Sequence, residues 1–279
     1  MTILNWLKSA EEKLRACECP DPAIDARWIA EDILHMTTSE LHFEGQNAIT
    51  QADEAQLDLC LARRCAGEPV QYILNRSDFM GLKFYVDDRV LIPRQDTETL
   101  VEAVIVELQP LRNADVLDMC CGSGCIGISL KSLLPHANVT MTDISEGAVE
   151  VSHLNAKNLE TEVTIRKGDL FTCVANETFD MIVSNPPYIP TEELKDLQRE
   201  VHFEPQTALD GGVDGLDIYR RIACEASAHL KPHGRVFLEV GIGEAEAVLE
   251  LLKQYIDHEA SGIMKDLCGI DRIVWIRSK

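Results

Sequence analysis

The chain has 279 residues, 46% of them hydrophobic and 26% charged, with a formal net charge of -21. That is globular composition, and the length allows one large domain or a moderate one with a smaller companion. A surface this acidic repels phosphate backbones over about 8–10 Å, and Arg63-Arg64 and Arg220-Arg221 are pairs rather than a patch, so direct nucleic-acid binding is not expected.

Residues 1–70 read as a small helical domain. Ile3, Leu7, Ala10 and Leu14 recur at helical spacing, and Asp21-Pro22 reads as a cap followed by proline at the first helical position. Ala26, Ile29, Ala30, Ile33 and Leu34 mark a second apolar face. A third helix opens at Thr50 and carries Leu57, Cys60, Leu61 and Cys65. From Gln71 to Ile92 the sequence is rich in Tyr, Phe, Val and Ile, with turn residues at Asn75–Asp78 and Asp87-Asp88. This predicts a β-hairpin linker over 71–93. Pro93 ends it, and a helix follows from Thr97 to Leu108.

Residues 94–279 form the second domain. From Asp115 strands and helices alternate, the mark of a parallel sheet with helices on both faces. Strands are predicted at Val116–Met119, Val139–Thr142, Val163–Ile165, Met181–Ser184 and Val236–Val240. Helices are predicted at Ile126–Leu134, Gly147–Asn158, Ile218–Leu230 and Glu244–Tyr255, and an antiparallel pair, Gly262–Asp266 with Ile273–Ile276, closes the chain. The polar segment from Asn185 to Asp214 is too long for an ordinary connection and reads as functional or mobile.

Four stations along this α/β region carry chemistry. After the first strand comes Cys120-Cys121-Gly122-Ser123-Gly124, a small-residue loop running into a helix. Gly122 and Gly124 let a ligand approach backbone where a Cβ would collide, and the helix start offers free N–H groups. Such loops serve dinucleotides and S-adenosylmethionine alike. Asp143 ends the next strand, where a carboxylate can accept from both hydroxyls of a ribose; it can equally cap the following helix, unless Ser145 does so. Asp169 can accept from an exocyclic adenine amine and Phe171 can lie against a purine, or the two can be a surface turn and a core aromatic. Last comes Ser184-Asn185-Pro186-Pro187-Tyr188. The prolines fix the backbone and lack N–H donors, Asn185 adds a side-chain carbonyl, and Tyr188 adds a flat ring. That set suits a planar NH₂ conjugated to a carbonyl or an aromatic ring.

There are ten cysteines and no C-x-x-C pair. Free thiols in a reducing cytoplasm are expected. A zinc or iron–sulfur site at Cys120–Cys125 is the alternative, but the spacing fits no ligand pattern, and no metal is expected. The first residues read as an amphipathic helix rather than a signal peptide, and no apolar run approaches about 18 residues, so no membrane span is expected.

Taken together the motifs resemble the HemK-type protein glutamine methyltransferases, which modify peptide-chain release factors. Besides Asn185–Tyr188, the resemblance rests on Gly67–Ile73, Phe79–Val86, Val90–Arg94 with Thr97-Glu98, Glu204–Leu209, Gly211-Gly212, Asp214–Leu216, Glu239–Gly241 and Asp266–Arg272. It implies a seven-stranded, Rossmann-like class I S-adenosylmethionine methyltransferase sheet behind a helical domain that docks the release factor. It also implies a cofactor site made by Cys120, Cys121, Gly122, Ser123, Gly124, Asp143, Asp169, Phe171 and Asn185. Asn185, Pro186, Pro187 and Tyr188 would hold the target glutamine, with Asn185, Pro186 and Tyr188 catalytic and a monomeric enzyme expected. The family usually has glycine at Cys120 and Pro-Glu at Gln95-Asp96. His202 and His233 are read as structural or surface residues. Three alternatives stay open: a ribosomal-protein glutamine methyltransferase, a DNA adenine N6-methyltransferase, which shares Asn-Pro-Pro-Tyr, and an inactive cofactor-binding module.

Overall fold

The computed structural model describes all residues, 1–279. The chain divides into two compact units, Met1–Arg76 with Gln198–Phe203, and Ser77–Leu197 with Glu204–Lys279.

The first unit has five helices rather than three: α1 (Ile3–Ala16), α2 (Pro22–Leu34), α3 (Thr38–Phe43), α4 (Gln51–Cys65) and α5 (Val70–Leu74). The short α3 is set by a full capping box between Thr37 and Glu40, which satisfies two orphan N–H groups. Its core is built from Trp6, Ala10 and Leu14 of α1, Ala26, Ile29 and Ala30 of α2, Leu57 and Leu61 of α4, and Val70 and Ile73 of α5. Trp6, at 2% exposure, takes the central place on α1, and Leu7 is only partly buried. Arg64 is buried on the apolar side of α4. Its Nε lies 2.6 Å from Asp25 and its Nη2 2.8 Å from Glu200.

Two features between residues 71 and 93 correct the predicted hairpin. Val70–Leu74 is helical, and the hairpin is only β1 (Ser77–Phe79) with β2 (Leu82–Phe84), turning at Met80-Gly81. Gly81 has φ +74, the left-handed backbone that a tight turn needs and glycine adopts freely. Asn75 instead closes α5 at φ 50.

The second unit is a seven-stranded sheet of order β5-β4-β3-β6-β7-β9-β8, in which β9 alone runs antiparallel. Its strands are β3 (Asp115–Met119), β4 (Asn138–Asp143), β5 (Thr164–Lys167), β6 (Phe179–Ser184), β7 (Leu230–Glu239), β8 (His258–Lys265) and β9 (Asp271–Ser278). Its helices are α6 (Gln95–Leu108), α7 (Cys125–Leu133), α8 (Glu146–Asn158), α9 (Asp217–Ala226) and α10 (Ala245–Tyr255). Alternation along the strands feeds two cores. Val116, Met181, Val183 and Phe237 join one with α6 and α7. Leu117, Met119, Ile182, Val236 and Leu238 join the other with α9 and α10. The helix predicted over Ile218–Leu230 stops at Ala226, and β7 begins six residues before its predicted start. The polar segment after β6 is ordered by short 3₁₀ turns at Thr191–Asp196, Val201–Phe203 and Gln206–Ala208, and by an isolated parallel bridge between Ile189 and Asp210.

The topology locates a ligand crevice. From β3 the chain steps outward through β4 to β5, then returns to β6 and moves the other way to β7. Connections therefore diverge between β3 and β6, and ligands bind at the carboxyl ends of strands at such a point. Met119 and Ser184 are register partners there, so the loops that follow them emerge side by side.

Candidate active site

A cavity of about 490 Å³ opens at these strand ends. Cys120 and Gly122 from the loop after β3, Thr142 to Ser145 from β4 and its loop, Gly168 to Leu170 from the loop after β5, and Asn185 and Pro187 after β6 all line it. Gly122 has φ +54, and nothing lies within 4 Å of the place its Cβ would take, so the backbone there is bare and open to a ligand. Gly124 is different. A Cβ on it would meet Met141 at 2.6 Å, so this glycine serves the packing of α7 on β4.

Asp143 is fixed by two backbone donors, Gly122 N–H at 2.9 Å and Ser145 N–H at 2.9 Å. Ser145 caps α8 by accepting from Ala148 N–H. Burial pushes the Asp143 carboxyl above its usual range, against these hydrogen bonds. A carboxylate so placed beside bare glycine backbone suits a diol, and its environment favours a ligand that brings donors. Asp169 lines the cavity and pairs with Arg221 at 2.8 Å. The structure does not bring Phe171 to the cavity. Its ring is 1% exposed and stacks on His229, with centroids 4.5 Å apart. Leu170, at φ 48, forms the wall instead. Cys121 and Ser123 are buried beneath the loop, Cys121 Sγ 3.5 Å from Ser152.

Cys120 also stands at left-handed backbone, φ 56. A Cβ is strained in that region, which fits the glycine that the resemblance implies at this position. Burial and nearby Asp143 push its thiol up to about 12, so it is neutral and a poor nucleophile. No group of three or more His, Cys, Asp or Glu stands in an arrangement that fits a metal ion. His202 is exposed on a 3₁₀ turn, and His233 is exposed beside Glu259.

The Asn185–Tyr188 turn is anchored on both sides. Asn185 Nδ2 lies 3.2 Å from Thr97 Oγ1 of α6. Ile189 N–H donates to Leu209, and Gly211 N–H donates to Ile189, each at 2.9 Å. A Cβ at Gly211 would lie 2.7 Å from Tyr188 Cα, so glycine is required for that close approach. Pro186 is buried, and Tyr188 packs against the core, where burial raises its phenol to about 12. Glu204 accepts from Ile92 N–H and pairs with Arg94, holding the Val90-Leu91 stretch that lines the cavity.

Three carboxyls near this end of the sheet went unassigned in the sequence. Asp118 is fully buried; its Oδ2 accepts from Gly127 N–H at 2.9 Å, its Oδ1 has no partner, and burial raises it to about 8. Glu239, at the end of β7, is 1% exposed and is raised by burial to about 7. Glu244, half-buried beside Gly241, is likewise raised by burial to about 7. The available signal was an acid at or near the carboxyl end of an apolar strand, a place where a charge is not tolerated without a reason.

Comparison with known proteins agrees with this geometry. The methyltransferase small domain family matches residues 95–204, and the PrmC N-terminal domain family matches residues 5–74. The release factor glutamine methyltransferase of Koribacter versatilis is 39% identical over 98% of both chains. The ribosomal protein uL3 glutamine methyltransferase of Bradyrhizobium diazoefficiens is 36% identical, over 86% of this chain and 80% of its own. Among solved structures, the 16S rRNA N2 G1207 methyltransferase of T. thermophilus, in complex with AdoMet and guanosine, shares the fold. Its TM-score is 0.55 at 18% identity, over 73% of this chain and 50% of that one. The seven-stranded sheet, the bare glycine loop and the carboxylate facing it are those of an S-adenosylmethionine-dependent enzyme, and the chain belongs to the release factor glutamine methyltransferase family.

Proposed function

We propose that the enzyme transfers a methyl group from S-adenosylmethionine to the side-chain amide nitrogen of a glutamine in a peptide-chain release factor. The observation that carries this reading is Asn185. It lines the cavity at the β3–β6 crevice while its amide nitrogen is held by Thr97. In this setting the side-chain oxygen is an acceptor.

The cofactor's sulfonium supplies an electrophilic methyl. The Gly122 backbone, Asp143 and the Asp169-Leu170 wall would hold it. An amide nitrogen is a weak nucleophile because its lone pair is delocalised into the carbonyl. Asn185 Oδ1 and the Pro186 carbonyl accept the two amide protons, which draws the nitrogen toward a tetrahedral shape and aims its lone pair. Tyr188 packs on the amide plane. Orientation supplies the rest, since well-aligned reactants gain about 7–11 kcal/mol over a bimolecular encounter. Once alkylated the nitrogen is strongly acidic and would lose its extra proton to solvent, with the cofactor leaving as a neutral thioether, so no histidine base is needed. The helical region 1–70 serves as the docking element for the protein substrate, with 71–93 as linker and 94–279 as the catalytic domain. The enzyme works as a monomer in the cytoplasm without binding nucleic acid directly. No helix is long and apolar enough to cross a membrane.

Mass spectrometry of purified release factor after incubation with enzyme and S-adenosylmethionine tests the reading. One methyl on one glutamine side chain is the expected product. The similarity to a uL3 methyltransferase makes ribosomal protein uL3 the second substrate to assay. A net charge of -21 opposes duplex DNA, where Lys and Arg contacts dominate affinity. Methyl label in DNA, with release factor and uL3 both unmodified, overturns the proposal.

A further inference from the structure

An amide side chain has one acceptor oxygen and one donor nitrogen on nearly the same outline. Rotation by half a turn exchanges them at little steric cost. Asn185 can accept a proton from the target amide only in one of the two settings. Something in the protein must therefore choose. Thr97 Oγ1, 3.2 Å from Asn185 Nδ2, cannot do so alone, because a hydroxyl can donate as readily as it accepts.

The missing element is Glu239. Ser184 and Leu238 are register partners in the parallel β6–β7 pair, so Glu239 and Asn185 leave the sheet at the same level. The Thr97 hydroxyl and the Asn185 amide both face the Glu239 carboxyl and favour its charged form. Its Oε2 makes no hydrogen bond of ordinary geometry, so the carboxyl is short of donors. An ionised carboxyl only accepts. Facing Thr97, it would take the single hydroxyl proton, and Thr97 Oγ1 would then be left as an acceptor that admits only the NH₂ end of Asn185. We infer that Glu239 and Thr97 act as positioning residues, a buried polarity relay that keeps the Asn185 carbonyl turned toward the methyl acceptor. The inference rests on the role given to Asn185 above.

The other groups facing Glu239 are Asp96 on α6, the Cys125 thiol on α7, Arg272 on β9 and the Tyr188 phenol, while Tyr219 of α9 donates to its backbone carbonyl at 2.7 Å. Protonated Glu239 can donate as well as accept, so the relay loses its direction. With that carboxyl raised to about 7, turnover falls as the pH drops through neutrality.

The test uses the full chain with Thr97→Val, Thr97→Ser and Glu239→Gln. Thr97→Val is nearly isosteric and should lower kcat by about 10- to 100-fold with the cofactor Kd and the melting temperature held. Thr97→Ser should restore it. Glu239→Gln should lower kcat and remove the acid limb of its pH profile. The Asn185 side-chain amide, followed by proton–nitrogen NMR without any methyl acceptor, should be slow to exchange in the wild type and lose that protection in Thr97→Val. Unchanged kcat and amide protection in Thr97→Val overturn the inference. So does a kcat loss that comes only with lost cofactor affinity or lost stability. Because the NMR readout needs no substrate, a wild-type enzyme that fails to modify release factors sinks the substrate assignment alone. The relay is then decided by the amide signal.

Discussion

Buried charge in the helical unit is paired, whereas the sheet unit holds both paired charges, Glu204 with Arg94 and Asp266 with Arg272, and carboxyls short of partners. In the helical unit the one buried cation, Arg64, meets two carboxylates, Asp25 at 2.6 Å and Glu200 at 2.8 Å. In the sheet unit the buried acids Asp118 and Glu239 each keep an oxygen with no partner, and Asp143 is satisfied only by backbone N–H groups. A compensated charge holds architecture together. A carboxyl left short of partners costs stability and persists where a ligand or a catalytic group needs it.

Substitutions on each side sharpen the contrast. The largest effect is expected at Arg64. Arg64→Ala leaves Asp25 buried without its cation and should cost about 3–5 kcal/mol, read by chemical denaturation. A cost under about 1 kcal/mol would show that the pair is solvated and dissolve the comparison. Next comes Asn185→Ala, which should lower kcat about 10²–10³-fold while cofactor affinity, read by calorimetry, falls far less. Equal losses in both would make Asn185 a binding residue only. Asp143→Ala should weaken cofactor binding by about 1.5–3 kcal/mol, the range for a hydrogen bond to a charged group. Unchanged affinity removes Asp143 from the site.

The pH dependence of stability is read as a slope and not as a single loss. Asp118 is raised in the folded protein from its ordinary value to about 8. Its contribution is complete below the unfolded value and is lost as pH rises, because the unfolded chain releases its proton first. Stability should therefore decline between about pH 4 and 8, by at most ~1.4 kcal/mol per unit for this group. Asp118→Asn should flatten that slope in denaturant titrations at several pH values; an unaltered slope assigns the decline elsewhere. The smallest effect is expected at Cys120. Cys120→Gly relieves a left-handed Cβ and should raise stability by up to about 1 kcal/mol with activity kept. Loss of the fold on this change would make the thiol structural.

Much of the sheet was legible because its central strands carry short apolar stretches such as Val116-Leu117, Met181–Val183 and Val236–Leu238, which burial on both faces favours. The start of β7 was not. Lys231-Pro-His-Gly234 carries turn residues, yet a bulge between Phe179 and Met181 lets Leu230 pair with Phe179 before the regular ladder resumes at Arg235. Helices α3 and α5, with six and five residues, are too short to show a period. In the site, Gly122, Asp143 and Asn185 were legible because each sits in a local strand-to-loop motif. The choice between Phe171 and Leu170 was not, because one positive φ at Leu170 decides which side chain faces the cavity. Thr97 was read as a helix start and Glu239 as part of a strand, and neither was given a role in the site. Their meeting with Asn185 depends on contacts such as the one spanning 88 residues between Asn185 and Thr97, and on the β6–β7 register, which no local pattern reveals.

The Arg64–Glu200 pair joins residues 136 apart in the chain. During synthesis at about 5–20 residues per second, the helical unit waits on the order of ten seconds between the emergence of its cation and that of the second carboxylate. All five helices are made by then, so the earliest-synthesised part of the protein is among the last to be completed. The strand ends Met119 and Ser184, and the loop that carries Asn185, emerge inside that interval. A nascent chain halted just short of Glu200 would carry most of the catalytic sequence while Arg64 of its helical unit has Asp25 as its only carboxylate.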